Sequence, residues 1–182
     1  MRLVWLTGVP GVGKSTVRRE LVRRGEIAHD ADEDGFRVLL DRATGLAVDD
    51  PGRCRRPPGW NETHWYPMAR DRVESLRRAA EHDVVFLAGS VPNEVEVWDL
   101  FDLVLCLVVD NETLRHRLES RTDNDFGKDP PVRDALLGWN AASAQDYKRF
   151  GATLIDATRP LKDVVDDVVT AGKGPLRQEH AR

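Results

Sequence analysis

The sequence predicts an α/β fold, a parallel sheet with helices on both faces. Two observations carry this. Short apolar runs alternate with amphipathic segments along nearly the whole chain, the order expected of parallel strands joined by helical crossovers. A glycine-rich turn, Gly8-Val9-Pro10-Gly11-Val12-Gly13-Lys14-Ser15, stands between the first apolar run and the first helical pattern. In such sheets ligands gather at the carboxyl ends of the strands. The 182 residues, 41% hydrophobic and 32% charged, suit one domain with a sizeable core. We expect that domain to span 1–172, with a polar tail at 173–182.

Taken in order, Leu3–Leu6 is an apolar run suited to a buried strand. A helix is expected over Lys14–Arg24, because Val17 and Leu21 are four apart and Gly25 stops it. Ile27–His29 is the second strand and Gly35–Ala43 is expected to be helical. Asp49 to Pro67 reads as one long irregular connection, first Pro- and Gly-rich and then aromatic from Trp60 to Tyr66. An insertion of about 49–67 in an α/β domain is usually functional. Helices follow over Pro67–Glu81 and Asn93–Phe101, separated by the strand Val84–Ala88. Leu103–Val109 is the fourth strand, Glu112–Arg121 a helix, and about 121–131 a polar loop. Pro131–Phe150, Ala152–Asp156 and Pro160–Ala171 complete the pattern as helix, strand and helix.

Composition excludes several classes. A net charge of −4 speaks against a non-specific nucleic-acid binder. No apolar run approaches the roughly 20 residues that cross a bilayer. The chain enters a strand almost at once, so no signal peptide is expected. Cys54 and Cys106 are far apart and Cys106 lies in a strand, as expected of reduced thiols in a cytoplasmic protein.

The chemistry begins at the glycine-rich turn, which has the G-x-x-x-x-G-K-S spacing of a phosphate-binding P-loop. Gly8, Gly11 and Gly13 let the backbone turn so that N–H groups from Val12 to Thr16 face a polyphosphate. Lys14 can reach the β- and γ-phosphates, and the Ser15 hydroxyl can sit on Mg²⁺. The following helix N-terminus adds partial positive charge. Nucleoside triphosphate binding follows. A second group lies just past the second strand: Asp30-Ala31-Asp32-Glu33-Asp34-Gly35-Phe36-Arg37. Acids this close call for a cation or solvent, and the strand end puts them near the mouth of the turn. One carboxylate can serve the Mg²⁺ shell and another can orient an acceptor hydroxyl.

The P-loop G-V-P-G-V-G-K-S-T, the helix ending in Gly and the strand-D-x-D together resemble shikimate kinase and the small-molecule kinases of the nucleoside-monophosphate-kinase group. The resemblance covers nearly the whole chain in element order, although only short motifs match. It implies a three-layer fold with a five-stranded sheet in the order 2-3-1-4-5, and a lid. It implies ATP and Mg²⁺, with Asp30 near the metal and Asp32 as the base on the acceptor hydroxyl. A rival phasing is open, since Asp34-Gly35-Phe36-Arg37 resembles the Asp-x-x-Arg of polynucleotide kinases, in which Asp34 would be the base and Arg37 would hold the acceptor phosphate. Gly89 and Ser90 stand where the shikimate kinases have a Gly-rich acceptor turn. Arg117 and Arg121, four apart on one helix, resemble the arginines that close over the phosphates. Asp156 to Pro160, with Arg159 and Pro160, stands where these kinases pack a turn against adenine. Trp139-Asn140 replaces the arginine that holds the shikimate carboxylate, and Trp60 suggests a flat acceptor ring.

The function expected is therefore transfer of the γ-phosphate of ATP to a hydroxyl or phosphate of a small polar acceptor, such as a nucleoside, nucleotide or cyclitol. The acceptor groups would be Asp32, Asp34, Arg37, Trp60, Gly89, Ser90 and Asn140. An end-processing polynucleotide kinase and an ATP-hydrolysing switch are the alternatives.

Overall fold

The structure, a computed structural model, describes residues 1–52, 55–79, 83–122 and 125–175. Cys54, the expected helix end at Glu81, part of the 121–131 loop and most of the polar tail fall outside these. Five strands form one parallel sheet: β1 (Arg2–Thr7), β2 (Ile27–Asp30), β5 (Val84–Ala88), β6 (Leu103–Val108) and β7 (Thr153–Asp156). Their order across the sheet is β2-β5-β1-β6-β7. This is the expected spatial order, 2-3-1-4-5. The labels shift because two short strands, β3 (Leu40–Asp41) and β4 (His64–Trp65), intervene in the chain.

Alternation along β1 divides the core in two. Val4 and Leu6 face one side with Phe86 and Leu105, under α1 (Lys14–Arg23), α5 (Asn111–Ser120) and α7 (Leu161–Lys173). Leu3 and Trp5 face the other with Val85, Leu87 and Cys106, against α3 (Arg70–Ala79) and α6 (Pro130–Arg149). Trp5 stacks on Phe101 at 5.0 Å. Its indole N–H donates to the carbonyl of Gly89 at 2.9 Å, so burying a polar handle also fixes the turn after β5. Asp30 lies opposite Ala88, and Leu6 opposite both Ala88 and Leu105. That register brings the carboxyl ends of β1, β2 and β5 together at one edge.

Three expectations are corrected. No helix forms over Gly35–Ala43. Gly35 takes φ 76°, and the chain then runs extended against residues 63–68, with Arg37 bridging Met68 and Leu40–Asp41 pairing antiparallel with His64–Trp65. Backbone bonds to a distant segment outcompete a weak local helical pattern here: Arg42 N–H donates to Thr63 at 2.8 Å and Val38 N–H to Pro67 at 3.1 Å. The connection over 49–67 is not wholly irregular, since it holds a short helix α2 (Trp60–Thr63) and β4. The helix expected over Asn93–Phe101 splits into α4 (Glu94–Val97) and a 3-10 turn at Trp98–Leu100. In addition, α3 starts at Arg70 rather than at Pro67.

Candidate functional site

A cleft of about 940 Å³ opens at the carboxyl ends of these strands. It is lined by the P-loop from Pro10 to Thr16, by Asp30, Asp32 and Arg37, by Gly89 and Ser90, and by Arg117, Arg121 and Arg159. Most residues singled out in the sequence thus meet in one place.

The P-loop is held from several sides. Gly8 has φ 133°, and a Cβ there would lie 2.5 Å from the carbonyl oxygen of Leu107. The Lys14 ammonium folds back on the loop, donating to Gly8 O at 2.7 Å and to Val9 O at 3.2 Å. Ser90 Oγ donates to the same Gly8 oxygen at 2.5 Å, so the turn after β5 is tied directly to the phosphate loop. Burial pushes the Lys14 ammonium down to about 8, against the pull of nearby carboxylates, Asp32, Glu94 and Asp30 among them. A polyphosphate on this loop would favour the charged ammonium.

Asp30 ends β2 and is only 8% exposed. Its Oδ1 accepts the N–H groups of Asp32 at 2.9 Å and Glu33 at 3.2 Å, which turns the chain so that Asp32 enters the cleft. Asp32 is exposed, and its Oδ1 accepts from Arg37 at 2.5 Å. Asp34 points elsewhere: its Oδ2 accepts the Asp30 N–H at 2.8 Å and faces Arg18 at 3.4 Å. Burial works against the Asp34 carboxylate, but these donors outweigh it and hold the group below the usual carboxylate range.

Ser15 and Asp30 provide a hydroxyl and a carboxylate on the cleft wall, hard oxygen donors of the type Mg²⁺ takes. Among the described residues no group of three or more His, Cys, Asp or Glu could hold a metal alone. Magnesium characteristically completes its shell with phosphate oxygens and water, so the donor set fits that ion.

The arginines do more local work than the sequence suggests. Arg117 lines the cleft and donates through NH1 to Val12 O and through NH2 to Ala157 O, both at 2.7 Å. It bridges the P-loop and the turn after β7. Arg159 also lines the cleft while its guanidinium pairs with Asp167 of α7. Arg121 NH1 donates to Phe126 O at 3.5 Å. Pro160 is the residue just before α7 and is not part of the lining.

Three expected acceptor residues do not line the cleft: Asp34, engaged by Asp30 and Arg18, and Trp60 and Asn140. Trp60 is outside the cleft, stacked on His64 with ring centroids 3.7 Å apart. Asn140 is buried and donates to Val109 O at 2.9 Å and Asn111 Oδ1 at 2.8 Å, so it joins α6 to the end of β6.

One residue near the site was not foreseen. Glu94 Oε1 accepts from Tyr147 OH at 2.7 Å and Thr7 Oγ1 at 3.3 Å. Burial pushes its carboxyl up, against those two hydrogen bonds and the Lys14 charge. In sequence Glu94 looks like any acid in a first helical turn; the hydroxyl at Thr7, ending an apolar strand, is the only hint.

No described helix is long and apolar enough to cross a membrane. The AAA domain family matches residues 4–138. No curated protein matches the chain. Similar solved structures include a gluconokinase from Sinorhizobium meliloti 1021, with 17% identity over 94% of this chain and 90% of that one and a TM-score of 0.52. A shikimate kinase from Aquifex aeolicus vf5 has 17% identity over 93% and 95%, with a TM-score of 0.53. A deoxyadenosine kinase from M. mycoides with bound dATP has 13% identity over 93% and 98%, with a TM-score of 0.50. At these identities the likeness is one of fold, and it is the fold of small-molecule kinases that the motifs resemble.

Proposed function

We propose that this chain, which belongs to the AAA domain family, is an ATP-dependent, Mg²⁺-dependent kinase of a small polar acceptor. The observation that supports this most is the meeting of Lys14, Ser15 and Asp32 on one cleft. A site for the triphosphate and a carboxylate for an acceptor hydroxyl thereby share one space. In this reading the P-loop N–H groups and the N-terminus of α1 bind the phosphates, and Lys14 leaves the Gly8 carbonyl for phosphate oxygens. Ser15 and Asp30 would hold Mg²⁺, which when bound neutralises charge on the β- and γ-phosphates. Asp32 accepts the acceptor's hydroxyl proton as that oxygen bonds to the γ-phosphorus. The bond from the γ-phosphorus to the β–γ bridging oxygen breaks, and ADP leaves with the electron pair. The arrangement serves positioning and charge neutralisation, the main needs of phosphoryl transfer.

The expected lid over about 121–131 lies partly outside the described residues; Arg121, Thr122 and Phe126 of it line the cleft, which supports that role. An end-processing polynucleotide kinase would need Asp34 as its base, and the engagement of Asp34 by Asp30 and Arg18 favours the small-acceptor reading instead. The test is an ADP-release screen over nucleosides, nucleotides, sugars, cyclitols and oligonucleotide ends, with transfer of labelled γ-phosphate to the acceptor. ATP turnover that no acceptor stimulates would leave an ATP-hydrolysing switch.

A further inference from the structure

Two donors meet on one oxygen of the P-loop. The carbonyl of Gly8 accepts from Lys14 Nζ at 2.7 Å and from Ser90 Oγ at 2.5 Å. The other carbonyl under the ammonium, Val9 O at 3.2 Å, also accepts the N–H of Val12 at 3.3 Å. Each therefore has a second donor beside Lys14. For Val9 that donor is backbone, which any residue but proline would supply at position 12. For Gly8 it is a side chain, brought in from the turn after β5. Gly8 is buried and is not among the residues that line the cleft, so its oxygen relies on donors from the protein.

The turn that carries Ser90 is held by contacts that do not involve the ammonium. Gly89 N–H donates to Leu6 O at 3.0 Å, and the Trp5 indole donates to Gly89 O at 2.9 Å. Three residues beyond Ser90, the buried amide of Asn93 accepts the Met68 N–H at 2.8 Å and donates to Met68 O at 3.0 Å. The hydroxyl thus has a fixed place whatever Lys14 does. A serine hydroxyl has one proton to give, and here it goes to the P-loop. A buried carbonyl left with no donor is costly, and Gly8 O would be one if both Lys14 and Ser90 were taken from it.

Resting on the kinase reading, in which Lys14 turns from the Gly8 carbonyl to phosphate oxygens, we propose that Ser90 is a positioning residue for the nucleotide, its hydroxyl keeping the Gly8 carbonyl satisfied while Lys14 is on the phosphates. The cost of releasing Lys14 is thereby lowered, and the loop keeps one backbone turn in both arrangements. Ser90, expected from the sequence to face the acceptor, serves the triphosphate instead. Lys14 and Ser90 are alternates on one oxygen, so removing either is masked for as long as the other stays there.

The test uses the full chain as wild type, Ser90→Ala, Lys14→Ala and the double variant, with ATP and Mg²⁺ as the probe. Without added ATP, Ser90→Ala should melt within about 2 °C of the wild type, because Lys14 still covers Gly8 O. Its dissociation constant for ATP, measured by titration calorimetry, should rise about tenfold, the scale of one buried carbonyl left unpaired once Lys14 turns away. In the Lys14→Ala background the same serine removal should appear without ATP, lowering the melting temperature by about 5 °C or more, since no donor then remains on Gly8 O. A merely structural serine would instead lower melting equally in both backgrounds and leave ATP affinity alone, and that result overturns the inference. A Ser90→Ala protein that does not fold overturns it too, since Lys14 would then not be covering the carbonyl. If Lys14→Ala does not fold, the melting and ATP affinity of Ser90→Ala decide. A wild-type protein that binds no ATP overturns the kinase reading and this inference with it; ATP binding that Ser90→Ala leaves unchanged overturns this inference alone.

Discussion

Asp34 folds back onto the strand it follows, its carboxylate accepting the backbone N–H of Asp30 at 2.8 Å. It shares a short acidic run with Asp32, yet the two carboxylates point to different places. Asp34→Asn should therefore retain turnover and lose about 0.5–1 kcal/mol of stability, discounted for solvent screening. The Asp34 carboxyl is held below its usual range in the folded state. Its contribution is present above the unfolded value near 4 and fades as pH falls below it. Thermal melting from pH 3 to 7 should show a wild-type advantage that shrinks toward acid. Asp32→Asn should instead cut turnover roughly a hundredfold with ATP affinity little changed. The reverse pattern would restore Asp34 as the base.

Lys14→Ala should remove transfer by roughly a hundredfold or more, because an ammonium aimed at developing phosphoryl charge is lost. The protein should still fold, since the hydrogen bonds of Lys14 among the described residues go to loop carbonyls. Single-turnover transfer and circular dichroism, measured together, separate the two effects.

Arg117→Ala should weaken ATP binding and stability together. Two charge-assisted hydrogen bonds to the carbonyls of Val12 and Ala157 are removed, at a combined cost of about 2 kcal/mol for a half-exposed side chain. A variant with wild-type melting and affinity but reduced kcat would mean that the arginine acts on the phosphates alone.

Glu94→Gln tests the buried carboxyl behind Lys14. Burial raises the Glu94 carboxyl in the folded state. An acid raised in this way makes the wild type less stable as pH climbs above the unfolded value near 4.5, until the folded value is passed. Gln retains an oxygen acceptor for the Tyr147 hydroxyl and carries no charge. The melting difference between variant and wild type should shift in favour of the variant from pH 4.5 to 7.5, and a flat difference would show that Glu94 is already well solvated.

Gly8→Ala should destabilise by about 2–3 kcal/mol, or roughly 5–10 °C in melting temperature. The new methyl would meet the Leu107 carbonyl at 2.5 Å from a backbone at φ 133°. Unchanged melting would mean that β6 can move away from the loop.

By itself the sequence determined what depends on neighbours along the chain. The strand, glycine-rich turn and helix over 2–24 were legible because turn chemistry and apolar spacing are local, and the five sheet strands were legible because buried parallel strands are short continuous apolar runs. Asp30 and Asp32 could be placed near the loop because a strand end sets where the next residues emerge. Tertiary structure decided the rest. The ribbon of Leu40–Asp41 with His64–Trp65 is too short to show a period, and it exists because two segments over twenty residues apart satisfy one another's backbone. Arg37 and Asp32 meet only because that ribbon turns the Gly35–Ala43 stretch away from a helix and presents Arg37 on the Tyr66 carbonyl. Arg117 reaches Val12 across 105 residues, and Tyr147 reaches Glu94 across 53. In each case the side chain's partner follows from sheet register and helix packing, which residue type does not encode.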